Sequence, residues 1–253
     1  MPLIHSFIIA FSTYSRIPMP RAEWTEENKR FSMCFFPLVG AAVGLVLALW
    51  LWICNLLGIG FFLRGAVASV LALLVTGGIH MDGFMDTMDA ISSWQTRERR
   101  LEILKDSHTG AFAVIGCGAY LIISAGLYSE LGLSGALPMA CAFVLSRALS
   151  ALALVLLPKA NPGGLLSGFA KAAQKKAVCI ACAVYILACT AVLALSCGVL
   201  GIFVLLAAFL SLLAYRRLAM KHFGGVTGDL AGWFVQVAEL ACLAVIVIGG
   251  KIL

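Results

Sequence analysis

PLVGAAVGLVLALWLWICNLL, residues 37–57, contains no charged residue. A helix needs about 20 apolar residues to cross the hydrocarbon core of a bilayer, and this stretch is long enough. The rest of the chain is similar, because 62% of all residues are hydrophobic and 12% are charged, whereas soluble domains carry about 25% charged residues. The composition predicts an all-α, polytopic integral membrane protein that forms a single membrane-embedded domain over residues 1–253.

Seven apolar windows of this kind predict about seven transmembrane helices. They lie at residues 37–57, 61–80, 110–129, 136–157, 177–197, 199–217 and 230–250. A tight turn near Cys197 and Gly198 separates the fifth window from the sixth. The opening stretch LIHSFIIAFSTYSRIP, residues 3–18, is too short to span, so we expect an amino-terminal helix that lies in the interface or re-enters partway.

Lysine and arginine indicate the orientation, because cytoplasmic loops of membrane proteins collect these residues. If the segment before the first window is inside, fifteen of the 18 basic residues fall in inner loops. The outer side then receives Arg64 and Lys251, and Arg147 lies within the fourth window. The pattern predicts a cytoplasmic amino terminus. The net charge of +6 suits anionic headgroups or phosphorylated substrates, and we expect no nucleic acid partner.

Acidic residues gather in TGGIHMDGFMDTMDA, residues 76–90, just where the second window reaches the cytoplasm. Asp82, Asp86 and Asp89 are spaced i, i+4 and i+7, so on a helix the three carboxylates share one face. Like charges this close repel unless a cation lies between them, and an oxygen-only cluster suits magnesium better than zinc. The alternative is a solvated helix start, which the helix dipole explains for Asp82 but hardly for Asp89.

The position of His80 depends on the backbone around it. In an extended chain His80 would share a side with Asp82, whereas in a helix it would point away. Gly77 and Gly78 favour a break in the chain, which could bring backbone amides near a phosphate group.

Two further polar segments lie on the same side of the membrane. RERRLEILKDSHTGAF, residues 97–112, carries a basic strip that either anchors a surface helix or holds phosphate oxygens near a metal; its members are Arg97, Arg99, Arg100 and Lys105. In the same segment Lys105, Asp106 and His108 are candidate site residues, although residues 106–109 could equally cap the next helix.

The second polar segment is HFGGVTGD, residues 222–229. Its glycines and Thr227 would let a backbone loop approach a ligand closely, and Asp229 is well placed to cap the last helix.

Two charges lie deeper in the membrane, since Arg147 and Glu239 are each about ten residues from an inner helix end. An unpaired charge near the bilayer middle is expensive, so we expect these two side chains to neutralise one another or to line a polar cavity.

The acidic stretch resembles the signature of the cobalamin synthase (adenosylcobinamide-GDP ribazoletransferase) family, a GG-hydrophobic-H-x-DG-x-x-D-x-x-D run that follows a membrane helix. Further blocks agree in order along almost the whole chain: FSTYSRIPMP, RFSMCFFPLVGAAVG, RERRLEILKDSHTGAFAV and FGGVTGDLAGWFVQVAE. This sequence departs from the family pattern at Phe84, Met85, Met88 and Ala90, and no departure removes a carboxylate.

The resemblance implies the last assembly step of cobalamin biosynthesis. Adenosylcobinamide-GDP and alpha-ribazole, or its 5'-phosphate, would give adenosylcobalamin, or its 5'-phosphate, with release of GMP. It also implies a Mg2+ cofactor and a multi-pass location in the bacterial inner membrane. Partners would be these substrates and the lipid bilayer, with a second copy of the chain or other corrinoid enzymes as further candidates.

The residues fit this chemistry, because transfer of a phosphoryl group from a nucleoside diphosphate depends on position and electrostatics. We expect Asp82 and Asp86 to hold magnesium, with Asp89 as a third ligand or as the general base, and His80 as the competing base. Lys105 and one or more of the three arginines of the basic strip would hold phosphate.

Three other functions are weaker interpretations. A phosphatidyltransferase of the CDP-alcohol class also uses aspartates and magnesium, but its longer aspartate motif is absent from this sequence. A secondary transporter would place acids near the bilayer middle, whereas ten of the 12 acids fall on the cytoplasmic side. A non-catalytic scaffold would not explain three carboxylates on one helix face.

Overall fold

The computed structural model describes residues 2–160 and 165–252, and the side chains of these residues apart from 165–167. This part of the chain is helical and contains no strand, which confirms the all-α prediction. Its α-helices are α1 (Pro2–Tyr14), α2 (Glu26–Lys29), α3 (Ser32–Leu57), α4 (Phe61–Thr76), α5 (Ile79–Ser92), α6 (Arg97–Ile103), α7 (Ala111–Glu130), α8 (Ala136–Leu156), α9 (Leu165–Ala172), α10 (Lys175–Cys197), α11 (Val199–His222) and α12 (Gly228–Ile252).

Six of the described helices are long and apolar enough to cross a membrane, namely α3, α7, α8, α10, α11 and α12. They match six of the seven predicted windows, and a single residue, Gly198, separates α10 from α11. The protein is therefore a multi-pass membrane protein. The short apolar α1 lacks the length to span and packs along α3, as expected for the amino-terminal segment.

The second window, 61–80, needs a correction. It is not one straight helix, because α4 ends at Thr76 and α5 leaves it at an angle of 100°. Gly77 (φ 68°) and Gly78 (φ 80°) form the bend in the left-handed region, which glycine enters without steric cost. The N–H of Gly78 donates to the carbonyl of Leu73 at 2.9 Å and closes the end of α4. The predicted break at the two glycines is thus confirmed.

The centre of the bundle is α8, which packs against α3, α10 and α12. Its side chain Arg147 forms an ion pair with Glu239 of α12, and both side chains are almost completely buried. Ser146 Oγ also donates to Glu239 Oε1 at 3.0 Å. The predicted mutual neutralisation of the two intramembrane charges is confirmed, and the pair ties the central helix to α12.

Polar contacts at the end of the bundle remote from the acidic stretch agree with the alternating topology. Arg64 of α4 donates to the carbonyl of Ser129 on α7. Lys251 of α12 binds Glu130 at 2.7 Å. The two basic residues predicted for the outer side, Arg64 and Lys251, therefore lie at neighbouring helix ends, opposite to the end that carries the acidic stretch 76–90.

Candidate active site

Helix α5 carries the acidic stretch and lies against both α7 and α12. Its contact with α12 is backbone to backbone, since a Cβ added at Gly83 would lie 2.7 Å from the Cα and carbonyl oxygen of Asp229. Likewise a Cβ at Gly232 would lie 2.9 Å from the carbonyl oxygen of His80. These two glycines allow the first turns of α5 and α12 to touch, and the contact brings Asp229 close to Asp82.

The carboxylates around this contact repel one another. Partial burial, together with the charges of Asp82, Asp229 and Asp89, raises the pKa of Asp86 to about 7. No salt bridge found among the described residues involves any of these four acids. A crowded set of carboxylates without a basic partner is a favourable environment for a hard divalent cation.

The fit to magnesium is partial in the protein alone. Within residues 2–160 and 165–252, no three His, Cys, Asp or Glu side chains converge closely enough to form a complete metal site. Magnesium, however, is commonly bound by one or two carboxylates together with waters and substrate phosphates. Asp82, together with Asp86 one turn along α5 or with Asp229 across the helix contact, would therefore fit as the one or two carboxylates that the protein contributes to such a site.

Asp89 has a different environment from the other acids. The backbone N–H of Gly110 donates to its Oδ2 at 2.6 Å, and the N–H of Ala113 donates to its Oδ1 at 2.9 Å. Asp89 thus caps the amino terminus of α7 from a neighbouring helix. The alternative that residues 106–109 cap this helix is wrong, because Gly110 is the N-cap residue and receives no side-chain cap from them.

A cavity of about 260 Å³ opens beside the α5–α12 contact. One side of it is polar, with Asp82 from α5, Lys105 from the end of the basic strip, and Thr227 and Asp229 from the start of α12. Three separate segments of the sequence therefore meet at this side of the cavity. Asp86 and Asp89 do not line the cavity, although Asp86 is close enough to it for the charges of Asp82 and Asp229 to raise the pKa of Asp86.

His80 lines the same cavity although it lies in the first turn of α5. The backbone is helical at this position, and the cavity extends around the helix start to reach both His80 and Asp82. The imidazole is buried, and its Nε2 has no hydrogen-bond partner in the described part of the chain. Burial and the nearby Arg147 charge hold the pKa of His80 well below its usual value.

The basic strip is docked on the polar loop that precedes α12. Arg100 Nη1 lies 2.8 Å from His222 Nδ1. The guanidinium of Arg97 lies over Gly224, whose φ of 72° and missing side chain make this approach possible. Arg97 is exposed and Arg100 is half-buried. Both arginines therefore hold α6 against the loop and do not line the cavity.

Of the other predicted polar residues, Thr227 and Asp229 line the cavity, whereas Asp106 and His108 lie at the surface. The backbone N–H of His108 donates to Asp106 Oδ1 at 3.0 Å, and His108 Nδ1 lies 2.7 Å from the same oxygen; these two contacts lower the pKa of Asp106. Both side chains are exposed and do not line the cavity. Thr227, not Asp229, caps α12, because its hydroxyl accepts the N–H of Leu230 at 3.2 Å. The Asp229 carboxylate is free of that capping role.

Sequence reasoning missed the opposite, apolar wall of the cavity. It is formed by apolar side chains and one serine from α1, α3, α8 and α9, namely Tyr14, Met33, Phe36, Ser150, Ala151, Leu154 and Phe169. Sequence reasoning also missed Arg16. Its side chain lies over Gly77, and its backbone N–H donates to the carbonyl of Val75 at 2.7 Å. In the sequence both Tyr14 and Arg16 belong to the FSTYSRIPMP block, which carries no chemical signal except the family resemblance.

Fold and site together define a multi-pass membrane protein with a carboxylate-rich cavity at one end of its helical bundle. The chain belongs to the cobalamin-5-phosphate synthase family, whose sequence model matches residues 6–247. It is 45% identical to the adenosylcobinamide-GDP ribazoletransferase of Lachnoclostridium phytofermentans, over 100% of this chain and 97% of that protein.

Other relatives carry the same name. The adenosylcobinamide-GDP ribazoletransferase of Desulfitobacterium hafniense is 36% identical, over 96% of each chain. That of Clostridium botulinum strain Alaska E43 is 32% identical, over 95% of this chain and 96% of the relative. No solved structure matches the chain.

Proposed function

We propose that this protein is an adenosylcobinamide-GDP ribazoletransferase. It joins adenosylcobinamide-GDP to alpha-ribazole, or to alpha-ribazole 5'-phosphate, and yields adenosylcobalamin, or its 5'-phosphate, and GMP. The observation that supports this proposal best is the cavity in which Asp82, Lys105 and Asp229 meet beside Asp86. The names of full-length relatives supply the substrates.

The reaction exchanges one phosphate ester oxygen for another. A ribose hydroxyl oxygen of ribazole forms a bond to the phosphorus next to cobinamide, and the bond from that phosphorus to the GMP oxygen breaks. Such a step depends on alignment and on stabilisation of negative charge. Lys105 supplies a positive charge at the cavity, and Arg16 lies beside the bend that starts α5, where it can attract a diphosphate.

Asp82 and Asp86 would hold Mg2+, and we propose Asp229, which lines the cavity together with Asp82, as a further group in place of Asp89. When bound, the ion would neutralise charge on the diphosphate and on the departing GMP. Asp89 is less suited, since both of its oxygens already accept hydrogen bonds from the start of α7.

The same hydrogen bonds argue against Asp89 as the general base. His80 is the better candidate, because its imidazole lines the cavity and its Nε2 lacks a partner in the described chain. In this proposal an imidazole nitrogen takes the proton of the attacking ribose hydroxyl.

We propose that the enzyme lies in the bacterial inner membrane with the cavity towards the cytoplasm. The distribution of lysine and arginine supports this orientation, because the basic loops lie at the same helix ends as the cavity. Association with a second copy or with other corrinoid enzymes stays a prediction.

The transporter interpretation loses support from the contacts of the deep charges. Arg147 and Glu239 are the charges nearest the bilayer middle in the described helices, and they neutralise each other. The cavity carboxylates instead lie at helix ends, where soluble substrates have access. The arrangement favours catalysis over an intramembrane ion path.

The test is a reaction of purified protein with adenosylcobinamide-GDP, alpha-ribazole and Mg2+. We expect equimolar GMP and a cobalamin product, and loss of both on chelation of the metal. Asp82→Asn keeps the shape of the side chain but removes its charge, so we expect turnover to fall about 100-fold or more. Folded wild-type protein that forms neither product would overturn the proposal, and full activity after chelation would overturn the metal assignment.

A further inference from the structure

The apolar wall of the cavity is built from rings. The Tyr14 and Phe36 ring centroids lie 4.4 Å apart, and Phe169 lies 6.1 Å from Tyr14. The imidazole of His80 is stacked with Tyr14 at 6.2 Å and lies 5.8 Å from Phe36. We call Tyr14, Phe36, His80 and Phe169 the aromatic wall.

The aromatic wall belongs to a buried cluster that is separate from the main core of the bundle. Phe36 and Phe169 pack there with Met33 and Leu154, and Tyr14 packs against them. The polar residues of the cavity come from other elements, namely α5, the segment after α6, and the start of α12. The cavity therefore has one aromatic side and one charged side, and α5 contributes to both, with His80 in the aromatic wall and Asp82 on the charged side.

We infer that the aromatic wall binds the benzimidazole ring of the ribazole acceptor, an inference that rests on the proposed function. Stacking on aromatic side chains is a general way to hold a planar heterocycle, and it needs no matching set of hydrogen bonds. The ribose would then extend past His80 towards Asp82 and Lys105. This arrangement brings a ribose hydroxyl to the imidazole and to the charged side, where the diphosphate binds.

The size of the cavity decides which part of the two substrates can enter it. At about 260 Å³ it is smaller than pockets for drug-sized ligands, which span roughly 300–1,000 Å³. A two-ring heterocycle with part of a ribose fits this space, whereas a corrin macrocycle does not. The corrinoid must therefore lie outside the cavity and present its diphosphate at the charged side.

Guanine is the other planar group in the reaction, and its chemistry fits the aromatic wall less well. Its edges present the N1–H and N2 amino donors and the O6, N7 and N3 acceptors, and burying these groups without partners is costly. Besides His80, the described polar side chains at the apolar side of the cavity are the hydroxyls of Tyr14 and Ser150, with no carboxylate or amide. A dimethylbenzimidazole riboside presents two methyl groups and one bare ring nitrogen, which suits such a surface.

The inference is tested by equilibrium binding of alpha-ribazole to the purified protein in detergent, without adenosylcobinamide-GDP. We expect Phe36→Leu and Tyr14→Leu to raise the Kd for alpha-ribazole about tenfold or more, because stacking of one base is worth roughly 5- to 150-fold in affinity. Phe36→Tyr keeps the ring and should bind close to wild type. The matched control is Phe35→Leu, since Phe35 packs on Phe7 and does not line the cavity.

GMP serves as the competing ligand in the same measurement. We expect its Kd to be unchanged in Phe36→Leu and Tyr14→Leu. The inference is overturned if GMP binding weakens while ribazole binding does not, since guanine would then occupy the wall, or if Phe35→Leu weakens ribazole binding as much as Phe36→Leu. Binding does not require turnover, so a protein that binds ribazole through these rings but forms no cobalamin would refute the proposed reaction and leave this inference standing.

Discussion

Replacement of Gly83 by alanine tests whether the contact between α5 and α12 sets the geometry of the active site. The added Cβ would lie 2.7 Å from backbone atoms of Asp229, about 0.7 Å closer than the 3.4 Å at which ordinary contact begins. Backbone atoms cannot rotate away as a side chain can, so the two helices must separate by a comparable distance.

That separation should reduce activity much more than it reduces folding. A misplacement near 1 Å can cost about 100-fold in rate, and overpacking typically costs about 1–3 kcal/mol of stability. We expect Gly83→Ala to lower kcat roughly 10- to 100-fold while the protein still folds and inserts. The assay is GMP release at saturating substrates, with thermal unfolding in detergent as the measure of folding.

Gly118→Ala is the matched control, because Gly118 also lies inside a helix and an added Cβ there would meet nothing within 4 Å. We expect this variant to keep full activity and to be equally or more stable, since alanine favours helix formation. If Gly83→Ala had wild-type kcat and KM, close contact between the two helices would not position the carboxylates, and the reasoning would be refuted.

Three further predictions concern the other buried or crowded charges. Asp86→Asn should raise the melting temperature in the absence of Mg2+, because it relieves carboxylate repulsion. It should also abolish the stabilisation by added Mg2+. A melting temperature of the variant that still rises on addition of the metal would contradict the role of Asp86 as a metal ligand. Asp89→Ala should destabilise the protein by about 1–2 kcal/mol through loss of the α7 cap, as measured by denaturation, and Asp89→Asn should recover part of this loss. Equal stability of the wild type and both variants would rule out the capping role of Asp89. Arg147→Met combined with Glu239→Gln should fold better than either single variant, because each single change leaves an uncompensated buried charge; independent, additive effects on melting temperature would argue against a coupled pair.

Much of the candidate site could be predicted from sequence because it depends on local spacing. Asp82 and Asp86 are one helical turn apart, and the break at Gly77 and Gly78 follows from the conformations that glycine permits. The role of Asp89 could not be predicted in this way. Its partners lie on α7, more than twenty residues further along the chain, so its capping role depends on how two helices pack.

The aromatic wall was beyond sequence reasoning for a related reason. Tyr14, Phe36 and Phe169 are three aromatic residues in an apolar chain, and nothing in their spacing distinguishes them from the other aromatic side chains. Their common position depends on how α1, α3 and α9 pack around α8. Lys105, Asp106 and His108 are also neighbours in the sequence, so their spacing could not show which of them lines the cavity. The turn after α6 leaves Lys105 at the cavity and exposes Asp106 and His108 to solvent.

The sequence by itself determined the membrane-spanning helical class, the end of the bundle at which the acidic and basic segments gather, and the need of Arg147 and Glu239 for a partner or a polar cavity. Each of these follows from a solvation cost, which acts on a residue wherever it lies in the chain. The tertiary structure decided which carboxylates meet, because close approach of Asp229 to Asp82 requires two glycines on different helices to touch. It also decided that one wall of the cavity is aromatic, since that wall is assembled from helices that are distant in sequence.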